Sequence, residues 1–110
     1  MKFTKTKIEE YSESLASYCN KKLTGNLKVV AVHSEAGVPI EGRITPRLIA
    51  HEIYENETIK RTFPLHKFDV QDSYFRYECA KENEETDANT VFVNECATII
   101  EMVNLEKAPL

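Results

Sequence analysis

Tryptophan is absent from this chain of 110 residues, glycine occurs three times and proline four times. So little glycine and proline excludes collagen-like repeats and linker-like or low-complexity chains. With only Gly25, Gly37 and Gly42, a phosphate-cradling glycine loop is excluded as well, and P-loop nucleotide hydrolysis with it. Long hydrophobic runs are also missing. No stretch approaches the roughly 20 apolar residues that span a bilayer, and Met1-Lys2-Phe3-Thr4-Lys5 leads into an amphipathic segment with no signal-peptide core. What is present is a hydrophobic content of 42%, close to the globular average, so the chain is expected to fold as a single domain over 1–110, soluble and cytoplasmic, with a frayed C-terminus over about 104–110.

Cysteine is scarce and odd in number. Cys19, Cys79 and Cys96 match neither a disulfide framework nor a zinc spacing, and they read as reduced thiols, Cys19 as a small buried hydrophobe. Basic residues are in deficit: the net charge is −4, and residues 56–110 hold eleven acidic side chains against six basic ones. Most of that excess lies in Glu78-Cys79-Ala80-Lys81-Glu82-Asn83-Glu84-Glu85-Thr86-Asp87, expected to be a solvated hairpin loop or an acidic surface aimed at a basic partner. A chain so acidic lacks the positive footprint that bulk nucleic-acid binding requires.

The clearest local signal is the recurrence of Ile8, Tyr11, Leu15, Tyr18, Cys19 and Leu23 at three- and four-residue steps, which predicts a helix over about 7–23. Thr6 with Glu9 can form a capping box at its start, and Gly25 can supply a left-handed closing residue. The period then changes to that of strands. Leu27–His33 is β-branched and apolar, 34–39 reads as a turn, and a second arm begins at Ile40–Thr45 before Pro46.

Residues 47–56 fit either a strand or a helix. Strands are preferred, because folding the chain about Asn56 puts Ile53 opposite Ile59, His51 opposite Arg61 and Ile49 opposite Phe63, with Glu52 and Lys60 on a solvated face. Tyr74–Cys79 alternates aromatics with charge and reads as a strand. Thr90–Val103 reads as a long return strand interrupted at Asn94-Glu95, its second half alternatively helical. The expected fold is therefore α+β, one N-terminal helix followed by about five or six antiparallel strands in a sheet or small, partly open barrel.

Chemistry-bearing patterns are sparse. His51-Glu52-Ile53-Tyr54-Glu55 begins like a zinc-protease motif, but glutamate stands where the second imidazole is required. His33, His51 and His66 lack metal-ligand spacing, and the paired carboxylates fall on exposed positions. No catalytic residue, metal site or cofactor is implied, and the expectation is a protein without enzymatic activity. Arg43, Arg61 and Arg76 fall in expected strands near Tyr74 and Tyr77, a combination able to fork a phosphate or stack on a base.

The stretch Val29–Phe68 resembles a WYL domain. The turn Ser34-Glu35-Ala36-Gly37 is followed by Arg43-Ile44-Thr45-Pro46-Arg47-Leu48-Ile49 and Arg61-Thr62-Phe63-Pro64-Leu65-His66-Lys67-Phe68, although the Trp-Tyr-Leu tripeptide that names the family is absent. The resemblance implies a small barrel related to the Sm fold, with Arg43, Arg61 and Arg76 as positions for a nucleotide or nucleic-acid end. Two function classes follow. The favoured one is an acidic inhibitor or adaptor, of the kind phages and other mobile elements encode, that binds an unidentified larger protein through Glu82, Glu84, Glu85 and Asp87. The alternative is a module that binds a nucleotide-type ligand through Arg43, Arg61, Arg76, Tyr74 and Tyr77. Neither requires a membrane, and both leave a homo-oligomer open.

Overall fold

The structure is a computed structural model that describes residues 5–32, 46–65, 67–83 and 87–107. Lys5–Lys22 form helix α1, Leu27–Val32 strand β1, Arg47–Ile53 strand β2, Ile59–Pro64 strand β3, Val70–Glu82 helix α2 and Ala88–Lys107 helix α3. The strands make one open antiparallel sheet in the order β1-β2-β3. Helix α1 lies on β1 and reaches β2, while α2 and α3 pack against α1 and each other.

The expected α1 stripe is the buried one: Ile8, Tyr11, Leu15 and Cys19 are in the core, with Tyr18 and Leu23 partly buried beside them. The helix is already under way at Lys5, so Thr6 lies within it rather than ahead of it. At the other end the Leu23 N–H donates to the Cys19 carbonyl at 2.8 Å, and Gly25 turns the chain with φ 74°. That left-handed angle costs glycine nothing and most other residues something.

The rest of the expected fold requires correction. Among the described residues three helices and three strands replace one helix and five or six strands, and the sheet they form is open rather than curled into a barrel. Tyr74–Cys79 lies inside α2, whose first turn is capped by Asp69: the Asp72 N–H donates to Asp69 Oδ1 at 3.0 Å. Its inward residues Val70, Ser73, Tyr74 and Ala80 follow helical spacing. Thr90–Val103 lies inside α3, uninterrupted at Asn94-Glu95, with Cys96, Ile99 and Val103 fully buried at helical spacing. Burying one stripe of each helix against α1 outweighs the strand preference of β-branched residues such as Val91, Val93, Thr98 and Ile100. The expected arm at Ile40–Thr45 and the turn at 34–39 lie outside the described residues.

The hairpin about Asn56 is present in a different register. Ile53 faces Ile59 as expected, but Glu52 faces Arg61, His51 faces Thr62 and Ala50 faces Phe63, because β3 carries one extra residue, Lys60, between the first two pairs. A single-residue slip exchanges the faces of a strand. Leu48, Ala50 and Glu52 therefore point into the protein, and Ile49, His51 and Ile53 form the half-exposed outer face. Glu52, expected to be solvated, is buried with Lys60 Nζ at 3.6 Å and Arg61 Nε at 3.8 Å from its Oε1.

Candidate functional site

The acidic stretch connects α2 to α3, a helical hairpin rather than a strand hairpin. Glu82 is exposed at the end of α2 and Asp87 is exposed ahead of α3, while Glu84 and Glu85 lie outside the described residues. Asp87 starts the helix: its Oδ1 accepts the Asn89 N–H at 3.0 Å and its Oδ2 accepts the Thr90 hydroxyl at 3.2 Å. Lys81, the one lysine of the stretch, leans back on its own helix, 3.5 Å from Glu78 and 5.3 Å from the centre of the Tyr77 ring. Of the acidic residues beyond Lys81, Glu82 and Asp87 are the described ones, and both are exposed.

Immediately beyond Asp87 the surface changes character. Tyr18, Asn89, Thr90, Phe92, Val93 and Asn94 line an open groove of about 430 Å³ between α1 and α3. A second groove of about 360 Å³ adjoins it, sharing Tyr18 and Phe92 and reaching Glu13 and Lys21 on α1. The two rings meet edge to face with centroids 5.6 Å apart, and Val93 beside them is 43% exposed. The first turn of α3 thus joins an acidic tip to an aromatic and aliphatic groove. Tyr18 belongs to the α1 stripe that the sequence shows, whereas the β-branched run around Phe92 and Val93 gives strand character to a helical segment. The signal that would have found them is the spacing Phe92-Cys96-Ile99-Val103 behind the cap sequence Asp87-Ala88-Asn89-Thr90.

Of the alternative site's residues that are described, Arg61 lies on β3 and Tyr74, Arg76 and Tyr77 on α2. Arg61 on β3 is held beside Glu52, with its guanidinium 5.0 Å from the Phe63 ring centre. Arg76 on α2 donates from Nε to Glu95 Oε1 of α3 at 2.6 Å, and that carboxylate raises its pKa. Tyr74 is 5% exposed and packs on Tyr11, and Tyr77, partly buried, joins the same cluster with Lys81 over its ring. Arg43, His33 and His66 lie outside the described residues. His51 contacts Thr62 Oγ1 through Nδ1 at 3.0 Å, on the outer face of the sheet.

Two tyrosines have displaced pKa values, and both owe them to the core. Burial pushes Tyr11 up to about 12, against an opposing hydrogen bond in which its hydroxyl meets Ser73 Oγ at 2.7 Å. Burial also raises Tyr74 to about 12, with the nearby Glu78 carboxylate adding to the effect. Among the described residues no group of three or more His, Cys, Asp or Glu side chains is placed to hold a metal ion, and no helix is long and apolar enough to cross a membrane. Comparison with family models, curated proteins and solved structures finds no match to this chain.

Proposed function

We propose that the chain is a small, non-catalytic interaction protein, an inhibitor or adaptor that occupies a basic surface on a larger protein. The observation that carries this reading is the start of α3, where the exposed Asp87 stands just ahead of Asn89 and Thr90, two residues that line the Tyr18–Phe92 groove. Such a surface suits a partner segment with basic side chains around an apolar anchor. The acids steer the encounter over distance, and the groove holds the anchor once it arrives. The phosphate- or base-binding alternative has less support, because Arg61 and Arg76 are each engaged by a carboxylate of the chain itself, Glu52 and Glu95.

The test begins with a pull-down from the native host to recover the partner. Its association is then measured against a variant in which Glu82, Glu84, Glu85 and Asp87 are replaced by Ser. Serine keeps a capping hydroxyl at position 87, so α3 retains its start. The variant is expected to associate more slowly at low salt, and the wild type to slow similarly at 1 M salt, where the Debye length is roughly 3 Å. A wild-type association rate in the variant at low salt would sink the proposal.

A further inference from the structure

Two of the three thiols lie side by side in the core although 77 positions apart in the chain. Cys19 belongs to α1 and Cys96 to α3, and both are fully buried. The Cys19 S–H donates to the Cys96 carbonyl oxygen, Sγ to O 3.7 Å, which puts the two residues in contact across the α1–α3 interface. We propose that Cys19 and Cys96 are a redox pair, which a peroxide converts into a disulfide that fastens α3 to α1.

The placement favours closure over ordinary oxidation. A thiol oxidised alone proceeds to higher oxides, whereas one with a second thiol in contact is captured as a disulfide. The interaction between the two side chains lowers the pKa of Cys96 and, together with burial, raises that of Cys19. The two sulfurs therefore take different roles. The Cys96 thiolate attacks the O–O bond of the peroxide and becomes a sulfenic acid, the departing oxygen leaving as water after protonation. Cys19 sulfur then attacks the Cys96 sulfur and displaces the hydroxyl, which leaves as a second water with the Cys19 proton. Two thiols lose two electrons and one hydrogen peroxide becomes two waters. Hydrogen peroxide is small enough to reach the pair through local opening of α3. Cys79, on α2, is only partly buried and lies outside the pair.

The experiment uses the full chain as Cys79→Ala, which leaves only the pair, treated with hydrogen peroxide under native conditions. The expected product is lighter by two hydrogen atoms. After trypsin digestion it gives peptides 8–21 and 82–107 joined through Cys19 and Cys96. Because the bond closes a long loop, the oxidised chain should melt roughly 10 °C above the reduced one, reversibly on adding dithiothreitol. Two free thiols after treatment, sulfinic or sulfonic products in place of the bond, or a bond that forms only in denaturant would each overturn the proposal.

Discussion

Asn20 on α1 closes the open edge of the sheet at Val29. Its Nδ2 donates to the Val29 carbonyl at 2.9 Å, and the Val29 N–H donates to its Oδ1 at 2.7 Å. In a strand the N–H and C=O of one residue point to the same side, so at this position a side-chain amide takes the place of a neighbouring strand. The same contact ties the last turn of α1 to β1 and sets the height at which the helix crosses the sheet. An edge whose backbone groups are satisfied from within the molecule is a poor template for another chain.

Removing that amide leaves two backbone groups of the fully buried Val29 without their partner. Asn20→Ala is expected to destabilise the protein by about 1–3 kcal/mol, read as a lower midpoint in urea with unchanged slope. Asn20→Asp keeps the acceptor but sets a carboxylate against the Val29 carbonyl, and should be rescued in part when acid protonates it. Equal midpoints for wild type and both variants would show that water replaces the amide without loss.

Leu15 is fully buried on α1, whereas Glu10 on the same helix is exposed. Leu15→Ala should cost about 2–4 kcal/mol through lost burial and a residual cavity, and Glu10→Ala less than about 0.5 kcal/mol. Thermal melts followed by circular dichroism distinguish them.

Gly25 tests backbone geometry without packing, because a Cβ built there meets nothing within 4 Å while φ is +74°. Gly25→Ala is expected to cost about 1 kcal/mol from the left-handed conformation alone, and Gly25→Asn less. Chemical denaturation of the two variants side by side measures it.

Alkali should unfold the protein through its aromatic core. Tyr11 and Tyr74 ionise near pH 10 when unfolded but only near 12 when folded, so the native state holds on to protons that the unfolded state releases. The stability they contribute is complete below pH 10 and is lost as pH rises from 10 through 12. Tyrosinate absorbance followed with ellipticity should show two of the five tyrosines ionising late, together with unfolding. Ionisation of all five before the ellipticity changes would contradict it. For Tyr11→Phe, which removes one of the two phenols, the fall in stability should be shallower over the same interval.

Where a segment carries its own period and its own punctuation, the sequence by itself determined the outcome. The α1 stripe, the left-handed Gly25, the change to strand character at Leu27 and the antiparallel pairing about Asn56 all rest on interactions between residues close in the chain. The register of that hairpin does not, since the extra residue Lys60 in β3 is accommodated by which face the core accepts. Helices α2 and α3 show the same limit more strongly. Tyr74–Cys79 alternates like a strand over six residues, and its helical period emerges only from Val70 to Ala80. The β-branched residues of 90–103 favour a strand until Cys96, Ile99 and Val103 find α1 to bury them. The candidate site divides in the same way. Its acidic charge was legible in composition, but the groove beside it exists only because Tyr18 and Phe92, 74 positions apart in the chain, are brought together by packing. Local propensities differ by about 1 kcal/mol or less per residue, whereas burying one large apolar side chain contributes roughly 1.5–3 kcal/mol, so tertiary contact prevails wherever the two disagree.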